Sequence, residues 1–136
     1  MTCIFCEIIA GTKEAHRVLE SEGAVAFLDA RPLFKGHTLV VPRIHVETLS
    51  DLPRQQLEPL FSQVQRVARA VERGLGADGT FVANNNKVSQ SVPHLHVHVI
   101  PRRKGDGLKG FFWPRTPYAD DAEAEAFAAK IRAAVP

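Results

Sequence analysis

Two cysteines, one tryptophan, one tyrosine and one methionine are all that the 136 residues hold of these types, and the scarcity removes several classes of protein. Two cysteines cannot build a disulfide framework. The first residues, Met1-Thr2-Cys3-Ile4-Phe5-Cys6-Glu7, put no basic segment before an apolar one, so a secretory leader is not expected and the cysteines point to a reducing, cytoplasmic setting. No apolar run approaches the roughly 18 to 20 residues that cross a bilayer, and no membrane segment is expected. Charge of one sign is lacking too: 17 Lys and Arg stand against 15 Asp and Glu, which argues against broad electrostatic capture of nucleic acid or anionic membrane. There is no internal repeat, no low-complexity tract and no linker, so residues 1–136 are expected to form a single domain.

What is present is patterned. Val18 to Leu28 reads as two short strands meeting at Glu22-Gly23, and Gly36 to Pro42 as a buried strand stopped by proline. Between about Leu52 and Leu75, Leu57, Leu60, Phe61, Val64, Val67, Ala68, Val71 and Leu75 recur at three- and four-residue intervals, the stripe of one long amphipathic helix. Pro53 suits a first turn, Gly74 and Gly76 suit a C-terminal cap, and Pro59 warns of a bent or separate first turn. Phe81 to Ala83 and His94 to Ile100 are further strands, and Asp120 or Asp121 can cap a last helix carrying Phe127, Ile131 and Val135. Hairpin-connected strands around one long helix indicate an α+β fold.

Cys3 and Cys6 have Cys-x-x-Cys spacing, which has three readings: small core residues, a redox pair, or half of a tetrahedral zinc site that needs two more ligands. A redox pair is expected after a strand, and here no strand precedes it. Six histidines are available to complete a zinc site. Three of them alternate with apolar residues in Ser91-Val92-Pro93-His94-Leu95-His96-Val97-His98-Val99-Ile100-Pro101. As a strand, this segment sends Leu95, Val97 and Val99 to one face and His94, His96 and His98 to the other, spaced by roughly 7 Å. Exposure does not favour histidine three times in register. The row can chelate a metal, or divide its labour between a metal and a substrate.

His94-Leu95-His96-Val97-His98-Val99, preceded by Gln90-Ser91, resembles the signature of the histidine triad family of nucleotide hydrolases and transferases. The likeness continues in Cys3-Ile4-Phe5-Cys6-Glu7-Ile8, similar to the N-terminal zinc knuckle of bacterial members. Phe27-Leu28-Asp29-Ala30-Arg31-Pro32 resembles the ribose-binding strand, and Gly36 to His45 the central strand and following turn. The resemblance implies a five-stranded antiparallel sheet with helices on one side, one long central helix and a C-terminal helix, usually in a homodimer. Cys3, Cys6, His45 and His94 would then hold a structural zinc with no open position. His96 would be the nucleophile that attacks the α-phosphorus of a purine nucleotide. His98 would hold the phosphate oxygens, with His37 supporting the same layer, and Ser91 would help the leaving group depart with its proton. The nucleotide would also meet Phe27, Asp29, Asn84, Gln90 and Ser91, with Phe5 and Ile8 either lining the base slot or serving the core. A neutral imidazole is abundant near pH 7, which suits covalent attack on phosphorus.

The implied activity is hydrolysis at the α-phosphorus of nucleoside phosphoramidates or dinucleoside polyphosphates. A noncatalytic, zinc-stabilised nucleotide-binding or protein-interaction module is the alternative. Two departures from the family stand out. Ser89 replaces a common glycine that would let the backbone approach phosphate, and the choice among Asn84, Asn85 and Asn86 stays open. Residues 101–119 form a basic and aromatic stretch in which Phe111, Phe112 and Trp113 adjoin Lys109 and Arg115. The aromatics are expected to pack on the domain or across a dimer interface with the charges solvated. Contact of Lys109, Trp113 or Arg115 with the leaving part of the substrate is a further hypothesis, and binding of single-stranded nucleic acid is a less favoured use of this stretch.

Overall fold

A computed structural model describes residues 2–109 and 114–136, in two compact units, Met1–Asp106 and Gly107–Pro136. The aromatic run Phe111-Phe112-Trp113 lies outside the described residues. In the first unit the order is α1 (Ile4–Ala10), β1 (Arg17–Glu20), β2 (Ala24–Leu28), β3 (Thr38–Pro42), α2 (Leu57–Leu75), β4 (Gly79–Ala83) and β5 (Val97–Arg102). The strands form one antiparallel sheet in the order β1-β2-β3-β5-β4. The fold is α+β, as expected.

Burial on both faces organises the sheet. Ala24, Ala26 and Val40 share one cluster with Leu95, Val97, Val99 and the α2 residues Leu60, Val64, Val67 and Val71. The alternate residues Val25, Phe27, Leu39 and Val41 meet Phe5 and Ile8 of α1 on the other face. The two central strands therefore carry apolar residues without interruption, since each neighbour in sequence feeds a different layer. This corrects the expectation of helices on one side: α1 packs on the face opposite α2. It is short, seven residues between the Cys3 N-cap, whose sulfur accepts the Cys6 N–H at 3.4 Å, and left-handed Gly11.

The long helix begins at Leu57 rather than near Leu52, and two 3-10 turns, Leu49–Asp51 and Arg54–Gln56, precede it. Pro59 explains the boundary. In the first turn its missing N–H leaves no hydrogen bond unmade, whereas an earlier start would put it in the helix interior. The buried stripe is Leu60, Val64, Val67 and Val71; Leu57, Phe61 and Leu75 lie off it and stay partly exposed. Gly76 closes the helix in the left-handed conformation. Arg103 then donates to the carbonyls of Gly76 at 2.7 Å and Leu75 at 2.6 Å, and Arg102 pairs with Asp106, so two of the basic residues after the triad are engaged within the fold. In the second unit, α3 (Asp121–Ala134) is capped by Asp120, which accepts from Glu123 N at 2.8 Å. Phe127, Ile131 and Val135 are exposed in that unit.

The extended triad segment is only partly a strand. Regular pairing begins at Val97, opposite Val40, and residues 91–96 lie outside the ladder. The reason lies in β3, which ends at Pro42: the Pro42 carbonyl takes a bond from the His94 ring, and the His94 carbonyl takes one from the His96 ring. Alternation of faces nevertheless persists, with Leu95, Val97 and Val99 all in the α2 layer.

The β1–β2 turn is tied to α2 through Gly23. A Cβ on Gly23 would lie 2.4 Å from the Pro59 Cβ, with Pro59 backbone atoms at 3.2 Å. Gly23→Ala is expected to destabilise the protein by about 1 to 3 kcal/mol, the usual cost of forced overpacking, measured by urea unfolding. An unchanged midpoint would show that the turn and the helix do not press on one another.

Candidate functional site

Two groups of imidazoles stand side by side. In the first, His94 is fully buried, and its Nε2–H donates to the Pro42 carbonyl at 2.9 Å, which leaves Nδ1 as the ring's free lone pair. That Nδ1 lies 3.2 Å from His45 Nδ1, 3.5 Å from Cys3 Sγ and 3.6 Å from Cys6 Sγ, while His45 Nδ1 is 3.4 Å from Cys6 Sγ. Zinc bonds of about 2.0 Å to nitrogen and 2.3 Å to sulfur give tetrahedral edges of about 3.3 Å between nitrogens and about 3.5 Å between nitrogen and sulfur. The observed edges fit that figure. Two thiols and two imidazoles are also the donor set zinc takes, so the residues fit a zinc ion with every position filled by protein. Burial, and the neighbouring Cys3 thiol, push the Cys6 thiol above its ordinary pKa, and burial holds His94 below the usual histidine value. A dication among them would favour the thiolates and the neutral rings alike.

The second group is a chain of hydrogen bonds with a fixed direction. The Leu33 amide donates to His37 Nδ1 at 3.0 Å, so His37 carries its proton on Nε2. That N–H points at His98 Nδ1, 2.9 Å away, so His98 in turn carries its proton on Nε2. Both rings are held below the ordinary histidine pKa, His98 at about 4, chiefly by burial, with neighbouring imidazoles adding to it. Asp29, whose Oδ2 is 3.6 Å from His37 Nε2, opposes the shift in both. Asp29, His37 and His98 lie close enough to hold a cation. The tautomer argues against it: a metal on His37 Nε2 would move the proton to Nδ1, against the Leu33 N–H. The group is a proton-ordered relay whose last N–H belongs to His98.

Between the two groups sits His96, 3% exposed, with Nδ1–H donating to the His94 carbonyl at 2.7 Å. Its Nε2 is thereby left with a lone pair. The ring touches Phe5 edge-on, with centroids 5.1 Å apart, and His98 at 5.0 Å. His96 and His98 line a cleft of about 1080 Å³, ample for a mononucleotide. Phe5, Ile8, Phe27 and Leu39 form its apolar wall, and Asp29 and Ser91 its polar edge. Phe5 and Ile8 are core and wall at once. Asp29 also serves its local turn, since Oδ1 accepts from the Arg31 amide at 2.9 Å.

Asn84 and Gln90, expected at the nucleotide, are not among the residues lining the cleft. The Gln90 amide is engaged at both ends, donating to Glu47 O at 2.6 Å and accepting from Lys87 N at 2.8 Å. Asn84 donates to Asn86 Oδ1 at 2.9 Å, and Asn86 also accepts from Leu49 N, hooking the loop to the turn before α2. Asn85 donates to the Ser89 carbonyl at 3.2 Å. Ser89 adopts φ 60°, the left-handed conformation that glycine reaches without strain and that costs an L side chain about 1 kcal/mol. Lys109 and Arg115 lie in the second unit, and Trp113 lies outside the described residues.

Sequence reasoning missed Ala15 and His16 on the cleft, while Leu28 and Arg31, also on it, fall in the stretch that resembles a ribose-binding strand. Ala15 and His16 arrive there because the Leu28 amide bonds the His16 carbonyl at 2.9 Å, a consequence of strand register with no signal in either residue.

The chain is similar to known proteins of one family. The family model for the HIT domain matches residues 10–105. A crystal structure of a HIT-family member from Bacillus subtilis superposes with a TM-score of 0.90 at 34% identity, covering 100% of this chain and 99% of that one. A Zn-bound histidine triad family protein from Mycobacterium smegmatis does so with a TM-score of 0.75 at 38% identity, covering 99% of each chain. An adenosine 5'-monophosphoramidase of Schizosaccharomyces pombe is 31% identical over 97% of this chain and 100% of its own.

Because the lowered His98 pKa means that the fold prefers the neutral ring, its contribution to stability is complete above about pH 6.5 and is lost as the pH falls towards 4. Nuclear magnetic resonance of the histidine side chains should show His98 protonated on Nε2 alone and titrating well below 6.5. A midpoint above 6.5, or a proton on Nδ1, contradicts the relay.

Proposed function

The chain belongs to the HIT-domain family, and from that premise we propose that it is a nucleotidyl hydrolase. It cleaves purine nucleoside phosphoramidates or dinucleoside polyphosphates at the α-phosphorus and releases a nucleoside monophosphate. The observation that carries this reading is the His96 ring, whose Nδ1–H is bound inward to the His94 carbonyl at 2.7 Å while the ring lines the cleft. A nucleophile needs its lone pair free and its other nitrogen anchored, and this ring meets both requirements. Likeness to the S. pombe phosphoramidase supports the same substrate class.

In the first step the His96 Nε2 lone pair attacks the α-phosphorus, a phosphorus–nitrogen bond forms and the bond to the leaving group breaks. Ser91, on the cleft edge, gives its hydroxyl proton to the leaving amine or phosphate and regains one from the water that attacks in the second step. His98 donates its Nε2–H to a phosphoryl oxygen. The relay behind it orients that donor before the substrate arrives, so little reorganisation is needed as negative charge shifts. Water then attacks the nucleotidyl-His96, releasing the monophosphate and restoring the neutral ring. Asp29 accepts from the ribose hydroxyls with the oxygen its turn leaves over, and the base lies against Phe27, Phe5 and Ile8.

Cys3, Cys6, His45 and His94 would hold zinc as a structural ion that pins α1 and the turn after β3 to the base of the triad segment. No helix among the described residues is long and apolar enough to cross a membrane, and a cytoplasmic protein fits the free cysteines. A homodimer is favoured by the β4 edge, where Val82 is 43% exposed and β5 is the only ladder partner among the described residues.

Purified protein given an adenosine phosphoramidate, and separately a diadenosine polyphosphate, is expected to release AMP from at least one of them. His96→Asn should lower the rate by three or more orders of magnitude while AMP still binds. Binding without turnover in the parent protein would replace the enzyme by a nucleotide-binding module. Unchanged turnover in the variant would remove His96 from the role of nucleophile.

A further inference from the structure

Helix α1 joins the Cys/His cluster to the cleft. Cys3 and Cys6 point their sulfurs at His94 and His45, and Phe5, which lies between them in sequence, walls the cleft and stands edge-on to His96. His94 makes the same connection a second time. Its Nδ1 faces the sulfurs, and its carbonyl holds the His96 Nδ1 proton. Seven residues make no stable helix alone, so the position of α1 rests on the burial of Phe5 and Ile8 and on whatever holds its two sulfurs.

Those sulfurs are half-buried, belong to free thiols, and lie within 4.8 Å of one another at the first turn of a helix. A small rotation brings them to bonding distance. Such a bond is incompatible with their present contacts, because Cys3 Sγ accepts the Cys6 amide proton and faces His94 Nδ1 at 3.5 Å. Turning it onto Cys6 draws it away from the histidine and twists the segment that carries Phe5.

The geometry points to Cys3–Cys6 as an oxidation site that controls the nucleotide cleft: a peroxide joins the two sulfurs, the metal leaves, and the wall made by α1 loosens. This inference rests on the proposed zinc site and nucleotide cleft. The step balances. Each zinc-bound thiolate gives up one electron as the sulfur–sulfur bond forms. The peroxide O–O bond breaks, accepts the two electrons and two protons from solvent and leaves as two waters, and zinc departs as the hydrated dication. Coupling between the sites is reciprocal, so a nucleotide in the cleft should also tighten the binding of the metal.

The test uses the reduced, zinc-loaded full chain titrated with hydrogen peroxide. Released zinc is followed with a chromophoric chelator, free thiols are counted, and AMP affinity is measured by calorimetry. Zinc is expected to leave in step with the two thiols, AMP affinity to fall about tenfold, the worth of one aromatic wall, and dithiothreitol with added zinc to restore both. Saturating AMP should raise the zinc affinity of the reduced chain, measured by competition with the chelator. Cys6→His supplies a fourth ligand that cannot form a disulfide, and peroxide should neither free its zinc nor weaken its hold on AMP. Zinc release from the parent chain with AMP affinity unchanged overturns the switch and leaves the proposed function standing, and so does zinc that stays bound after both thiols are lost. A reduced chain that holds neither zinc nor AMP overturns the proposed function as well.

Discussion

The 2.7 Å hydrogen bond from His96 Nδ1 to the His94 carbonyl is the contact on which the site depends. It decides which nitrogen of the buried ring is free, and it does so with a backbone group that cannot rotate away. The carbonyl is available because regular pairing stops: β3 ends at Pro42, β5 begins at Val97, and the two intervening histidine rings take the bonds that a longer ladder would have used. A break in the sheet thus becomes a means of orienting imidazoles.

Three histidines in one register acquire three roles from their second nitrogen. His94 gives its Nε2–H to Pro42 and offers Nδ1 to the cysteines. His96 gives up Nδ1–H and keeps Nε2. His98 accepts on Nδ1 through His37 and so presents an N–H. Burial reinforces the pattern in the outer two by disfavouring their charged forms. A protonated His98 would carry a hydrogen on both nitrogens, which would break the bond from His37 and reverse the direction of the relay. The neutral state and the hydrogen-bond direction therefore support one another.

Much of this was legible in the order of residues. Alternation from His94 to Ile100 divides the segment between two faces, and the structure places Leu95, Val97 and Val99 beneath α2 with the imidazoles opposite. Cys-x-x-Cys spacing asked for two partners, and His45 and His94 stand beside it. Other features were hidden because they depend on distant contacts. Nothing in Ile4 to Ala10 says that the helix lies on the face away from α2; that follows from the pairing of Phe5 and Ile8 with Phe27 and Leu39. Gln90 resembled a phosphate ligand, yet the loop's own geometry turns its amide to Glu47 and Lys87. Ser89 takes a glycine-like conformation that its identity argues against, which only the surrounding bonds explain.

The central claim is that His96 becomes covalently joined to the α-phosphorus during turnover. The most direct measurement is to quench a reaction with an adenosine phosphoramidate under alkaline conditions, which preserve the phosphorus–nitrogen bond, and to locate the adduct by peptide mass spectrometry. The account predicts one adenylyl group on the peptide that contains His96, formed together with the first released amine and ahead of the first AMP, and lost when substrate is exhausted. Steady release of AMP with no adduct, or with the group on any other residue, would contradict it.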